Sequence, residues 1–514
     1  LPLAKAKGFN MSFAQWARVV SRDTNRSLAG SSLYVPQDAS DIAAQAQQWG
    51  MRLAADEVGA DFTYDAVLAG DAEAATGAVL PAHASHFTDK EASAPLPQMS
   101  GAEAIDHARM RMPVTRKLIA ELAADGALTG VRFAISIVLE PKTAVFLEEL
   151  AAAGAVVGIY CDGESTDPRV IEELEKRGIE VSAQRAWSAE RRRTEALKLL
   201  DDIQPDILID DGASFARLLM RERPQMAANL IGVAEETTSG VRAFAAMDRD
   251  RALTYPVIAV NDSALKTNFD NAHGTGETCV TTMLDILGSD AFAGASVAVV
   301  GYGPVGAGFA RRIRALGAKV TICDIDPVAC LRAVFDGFET ADLASVAGHV
   351  DMVTSATGVR HTVSLETMRR MRERAILGVI GGISNELALD DITGFARANA
   401  AVRDLDVPGG STVRLLSDGD GVNYTAGNGN PIDIMDLSFA VQTMAIGYLL
   451  KHRGRLEKRL MTLDSSADEH IARVALSTRG QEVTATHTVP YDWRLSRFED
   501  EIASENSGEK EHRA

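Results

Sequence analysis

The chain runs to 514 residues, 46% of them hydrophobic, enough for two or three domains with separate cores. Its 71 acidic and 52 basic residues leave a net charge of −19, which argues against nucleic acid or anionic membrane as a main partner. Four cysteines (Cys161, Cys279, Cys323, Cys330) show neither a CxxC pair nor metal-ligand spacing, so reduced thiols in a cytoplasm and no metal site are expected. No apolar run is expected to reach the length of a membrane span, and no signal-peptide pattern is expected at the N-terminus.

Residues 1–98 read as an N-terminal extension, partly helical around 40–51, ending in a linker low in large apolar residues. His83 and His86 fall in that linker and read as a solvated loop. Residues 99–276 alternate strand and helix: VRFAISIVL, TAVFLEELAAAG, VVGIYC, PRVIEELEKRG and DILIDDG. Continuous apolar strands between amphipathic helices predict a parallel sheet covered on both faces. Asp210 and Asp211 end one such strand, where ligands of these sheets bind. Asp210 reads as a strand-end cap and Asp211 as a site residue. Dense polar runs follow, AEETTSG at 234–240 and VNDSALKTNFDN at 260–271. Lys266 and Asp270, four apart, share a face on a helical turn, whereas His273 points away from Asn271 and reads as packing or surface.

Residues 277–427 form a second alternating block with VAVVGYG at 297–303. Gly301-x-Gly303-x-x-Gly306 follows an apolar strand and opens a helix through Pro304 and Val305, the required context of a dinucleotide-binding turn. Asp324, 23 residues past Gly301, can accept both ribose hydroxyls and would repel a 2′-phosphate, which selects NAD. Residues 428–480 read as a helical return to the first domain, and 481–514 as a polar, acidic tail. The predicted fold is two doubly wound, Rossmann-like α/β domains with a cleft between them, plus the extension.

DDG at 210–212, AEETTSG, VNDSALKTNFDN and GYGPVGAG, in this order and spacing, resemble the adenosylhomocysteinase family over roughly residues 102–480. The resemblance implies Asp211 as a catalytic aspartate and Glu236 as the group on the ribose hydroxyls. It implies that Lys266 and Asp270 work on the 3′-hydroxyl beside Asn271; independently of the family, partial desolvation near a cofactor cation is expected to push the lysine pKa down and make it a base. Thr237, Thr238 and Ser239 then contact NAD, Asn423 holds the nicotinamide amide, and Asp324 matches a glutamate. A nucleoside-like substrate and a homo-oligomer, dimer or tetramer, are implied as well.

Departures concentrate in the substrate pocket. The family's HMTVET is VLEPKT at 138–143, placing Val138, Glu140, Lys142 and Thr143 at the substrate's base. Two family histidines become Gly382 and Asn430, and a cysteine becomes Thr275. In the phosphate loop an aspartate and a lysine become Pro304 and Ala307, and the C-terminal KPDHYRY has no counterpart. Lys142 has three donors and no acceptor, so the substrate is expected to offer it an acceptor. The expected activity is transient oxidation of a sugar hydroxyl by NAD, followed by elimination with hydration or by epimerisation. An ordinary hydrolase with a rebuilt adenosine pocket and a non-catalytic NAD-holding regulator are the alternatives.

Overall fold

The computed structural model describes residues 32–34, 52–54, 62–63, 99–161, 166–183, 187–381, 385–398, 400–427 and 429–484. The chain divides into Leu1–Gln98 and Met99–Ala514. In the first unit, β1 (Ser32–Tyr34), β2 (Arg52–Ala54) and β3 (Phe62–Thr63) form a parallel sheet ordered β2-β1-β3. The helical stretch expected near 40–51, His83, His86 and the tail beyond 484 lie outside the described residues.

The second unit carries two seven-stranded sheets. The first begins with β4 (Arg132–Ser136), β5 (Val156–Tyr160), β6 (Glu180–Ser182), β7 (Ile207–Asp210), β8 (Gly232–Glu235) and β9 (Val257–Ala259). Ile207 and Ile209 enter one apolar cluster and Leu208 another, because successive side chains point to opposite faces and both faces are covered.

The second sheet holds β10 (Ser296–Val300), β11 (Lys319–Cys323), β12 (Glu339–Thr340), β13 (Met352–Ser355), β14 (Ile376–Val379), β15 (Val402–Asp406) and β16 (Thr412–Leu416). Its order is β12-β11-β10-β13-β14-β16-β15, parallel except for the β15–β16 pair. Val297 and Val299 again face one cluster, Ala298 and Val300 the other. The doubly wound fold expected from the strand–helix alternation is the one observed.

The chain then returns. The helix Ile432–Lys451 buries Leu437, Phe439, Ala440 and Ile446 in the core of the first sheet, and β17 (Leu460–Met461) pairs with β9 to extend its edge, giving the order β17-β9-β8-β7-β4-β5-β6. This helix corrects one expectation. At 20 residues and mean hydropathy 1.2 it is long and apolar enough to cross a membrane by length and composition, and 61% of that window is buried inside the fold. Its apolar character serves a core position that is wrapped from several sides.

One carboxylate fastens the return. Asp436, fully buried, accepts from the backbone amides of Val114 at 3.0 Å and Thr115 at 2.8 Å, at the open N-terminus of the helix Pro113–Ala123. Burial pushes its carboxyl up while those amides pull it down. Asp436→Ala leaves both amides without this partner and should lower unfolding free energy by about 2–4 kcal/mol in denaturant titrations. Asp436→Asn keeps an acceptor and should cost markedly less.

Candidate functional site

The polar run 260–271 folds into an uncommon element. Lys266–Thr275 is a π-helix, whose wider turn sets both the fourth and fifth following residues against a side chain. Lys266 Nζ lies 2.8 Å from Asp270 Oδ2 and donates to Asn271 Oδ1 at 3.1 Å. An α-helix would present the first partner without the second. The π-helix packs on the helix Pro304–Ala315 of the second sheet so closely that a Cβ at Gly308 would sit 2.1 Å from the Ala272 carbonyl oxygen. The reactive segment thus lies where the two sheets' layers meet.

Glu236 completes the cluster from the carboxyl end of β8. Its Oε1 stands 3.8 Å from Lys266 Nζ, and its Oε2 accepts from Gln442 Nε2 at 2.5 Å. Burial pushes its carboxyl up to about 7, with Lys266 pulling down and Asp270 and Asp211 pushing further up. For Lys266, burial acts downward, but the charges of Asp270 and Glu236 outweigh it and hold the pKa above the ordinary lysine value. The expectation of a depressed lysine pKa is therefore corrected. Two carboxylates within 4 Å stabilise the ammonium more than desolvation penalises it.

Asp270 also accepts from Ser438 Oγ at 2.8 Å and from Asn430 Nδ2. Asn271 Nδ2 donates to Asn261 Oδ1 at 3.1 Å, which also accepts from Thr238 Oγ1 at 3.0 Å. Asp211 stands partly exposed at the end of β7. Asp210 is fully buried and accepts from the backbone amides of Asp211, Phe215 and Ala216, which is the strand-end cap.

Several site residues escaped the sequence reading. Ser438 and Gln442 are four apart in an apolar run, and polar residues at that spacing within a core helix were the available signal. Tyr424 sits near Asp270, Lys266, Asp211 and Glu140, and its hydroxyl pKa is raised, chiefly by burial. Glu235 is fully buried and accepts from the amides of Gly212, Ala213 and Thr237 and from Thr237 Oγ1. Burial, then the charges of Asp210 and Asp211, raise its carboxyl well above the ordinary range. Thr237 thus holds Glu235 and caps the helix Thr238–Arg249, with Ser239 Oγ 3.1 Å from its hydroxyl. His273 is exposed beside Arg312, 3.1 Å from Nδ1, a surface position.

In the second sheet, Gly301 turns with φ +95°, and a Cβ at Gly306 would lie 2.0 Å from the Gly301 carbonyl oxygen. Both glycines are required by geometry. A Cβ at Gly303 would meet nothing within 4 Å, so the backbone there is open to a ligand. Pro304 takes the first helical position, followed by Val305, Gly306 and the buried Ala307. Asp324, past the end of β11, accepts from the Tyr302 amide at 2.6 Å and the Asp326 amide at 2.9 Å. Asn423 is fully buried; its Nδ2 donates to Asn430 Oδ1 at 3.1 Å, while its Oδ1 has no partner among the described residues.

Comparison with known proteins gives the family. The family model "S-adenosyl-L-homocysteine hydrolase" matches residues 96–226, and that family's NAD-binding domain matches residues 278–429. The adenosylhomocysteinase of Thermococcus kodakarensis is 36% identical over 392 residues, 75% of this chain and 92% of that protein. That of Thermoplasma acidophilum is 34% identical over 382 residues, covering 73% and 93%. The S-inosyl-L-homocysteine hydrolase of Methanopyrus kandleri is 35% identical over 392 residues, covering 74% and 91%. The chain belongs to the S-adenosyl-L-homocysteine hydrolase family.

NAD is its cofactor, and the residues fit it: the open backbone at Gly303, the acid at Asp324 and the unpartnered acceptor of Asn423 lie along the carboxyl ends of one sheet. The segment 138–143 was expected to face the substrate's base. Lys142 is buried, at 6% exposure, and forms an ion pair with Glu140. The ammonium expected to await a substrate acceptor therefore has a carboxylate beside it, since an isolated buried charge is too costly. Burial raises the Glu140 carboxyl and Lys142 pulls it back down. Thr143 Oγ1 donates to the Val138 carbonyl at 2.8 Å and shapes this turn. Thr275 bonds to Asn430, and Gly382 lies outside the described residues.

Two outcomes follow from this geometry. The native protein should bind NAD more tightly than NADP by calorimetry, and Asp324→Ala should narrow that preference. For Glu236, the folded pKa of about 7 exceeds the ordinary 4.5, so its contribution to stability is full below pH 4.5 and is lost as pH rises through 7. The melting temperature of Glu236→Gln relative to native should accordingly rise between pH 5 and pH 8. The swing should be on the order of 1–3 kcal/mol.

Proposed function

We propose that this chain cleaves an S-nucleosyl-homocysteine thioether by transient oxidation of the ribose 3′-carbon, and that the base it reads is a 6-oxopurine. The observation that carries the chemistry is the burial of Lys266 with the carboxylates of Asp270 and Glu236 each within 4 Å of its Nζ, where the two sheets meet. Bound along the second sheet, NAD supplies the oxidant for that carbon and the reductant that later restores it. Glu236, with a carboxyl near 7, takes the hydroxyl proton. Lys266, kept protonated by Asp270, donates to the oxygen as it becomes a carbonyl. The neighbouring ribose proton is then acidic. Asp211, at the strand end, accepts it as the C5′–sulfur bond breaks, and passes it to the departing thiolate. Water then adds across the C4′–C5′ double bond, hydroxyl to C5′ and proton to C4′, before the 3′-alcohol is restored with the proton that Glu236 holds.

The Glu140–Lys142 pair supports the choice of base. A 6-oxopurine offers an acceptor at its oxygen and a donor at the adjacent ring nitrogen, which match an ammonium and a carboxylate side by side. Adenine offers the reverse pattern. That a relative 35% identical to this chain is an S-inosyl-L-homocysteine hydrolase is consistent with such a base on this scaffold.

Thiol release should be followed from S-inosyl- and S-adenosyl-homocysteine. We expect kcat/KM at least about tenfold higher for the inosyl compound, the effect of one mismatched hydrogen bond. Equal or reversed preference would refute the base assignment in favour of ordinary adenosylhomocysteine hydrolysis. No thiol from either, with bound NAD never reduced, would mark a non-catalytic NAD-holding protein. Lys266→Met should lower turnover by ~10²–10⁴ and leave the fold intact.

A further inference from the structure

We infer that Asn430 is a positioning residue that sets which end of the Asn423 amide faces the cofactor, and so makes the site select a carboxamide on the nicotinamide ring. The inference rests on the NAD reading above. An amide side chain has one accepting and one donating end, and its neighbours decide which way it turns. The Asp270 carboxylate takes Lys266 and Ser438 on one oxygen and can only accept on the other, so Asn430 must present its NH2 there. Asn430 Oδ1 is then turned to Asn423, 3.1 Å away, and to the hydroxyl of Thr278 at 3.3 Å. Asn423 must answer with its own NH2. Its Oδ1 is left as a buried acceptor with no hydrogen-bond partner among the described residues, an arrangement that costs free energy unless a ligand supplies a donor.

The place of that acceptor says which donor. A Cβ at Gly381 or Gly421 would lie 3.7 Å from Asn423 Oδ1, and Gly421 bridges to Val379 at the carboxyl end of β14. Asp324 follows β11 and the glycine turn follows β10, so a dinucleotide laid along the strand ends runs on towards β13 and β14. Its second base therefore comes to Asn423, and the N–H donor on a nicotinamide is the carboxamide. A histidine at 430 could not transmit this polarity in the same way, because its ring nitrogens exchange roles with the tautomer.

The probe is an NAD analogue with an acetyl group in place of the carboxamide, which keeps the carbonyl and loses the N–H. Displacement of bound NAD from the whole 514-residue chain measures the affinity ratio. The native protein should prefer NAD by about tenfold or more, the cost of one unsatisfied buried acceptor. Asn430→Ala should bring the ratio close to one. So should Asp270→Asn, which keeps the shape and removes the charge that orients the relay. A merely structural role would weaken both dinucleotides equally, and a retained ratio in both variants would overturn the inference. Failure of the native protein to hold either dinucleotide would overturn the NAD reading itself.

Discussion

Lys266 carries its ammonium into a site where only 6% of the residue meets solvent, and Asp270 at 2.8 Å makes that burial tolerable. A lone ammonium so placed would be expelled or neutralised, whereas a paired one persists and orders its surroundings. Both partners sit on one π-helical segment, so the pair forms within a local element and does not depend on the relative placement of the two sheets. The sheets contribute what surrounds it. Glu236 directly follows β8, Ser438 and Gln442 come from the returning helix, and Asn430 from the turn before that helix.

This arrangement makes the site a set of directed hydrogen bonds with few free choices. From the lysine, donation passes through Asn271 and Asn261 to Asp262 Oδ1, 3.0 Å from Asn261 Nδ2. On the aspartate side, the direction passes through Asn430 to Asn423. Fixed dipoles of this kind need no reorganisation when charge develops on a bound substrate, which is the usual source of electrostatic catalysis. Within this site, Glu236 Oε1 and Asn423 Oδ1 are buried acceptors with no hydrogen-bond partner among the described residues, and both lie on residues that the chemistry and the cofactor would use.

The segment 138–143 shows the same electrostatic rule at a second place. A lysine substituted into a buried segment needs a counter-charge, and Glu140 two residues earlier supplies it. The pair brings no net charge beside Asp270. In the function we propose, it is what lets the same oxidising residues serve a different base.

The doubly wound sheets, the glycine turn with its distal acid, and the family were legible in the chain because each depends on local pattern: strand apolarity, helix period and a fixed motif spacing. The grouping of Lys266, Asp270 and Glu236 was legible through the same motifs. The direction of the lysine pKa was not, since it depends on whether two carboxylates outweigh burial, a balance of distances that no spacing reveals. The partner of Lys142 was likewise settled by packing, whereas the helical return of 428–480 to the first domain was read from the sequence. The sequence by itself determined which chemical groups are present and in which elements they lie. Only the tertiary structure decided their partners, because electrostatic and hydrogen-bond energies depend on distances of a few ångströms between residues far apart in the chain, as Glu236 and Gln442 are at 206 positions.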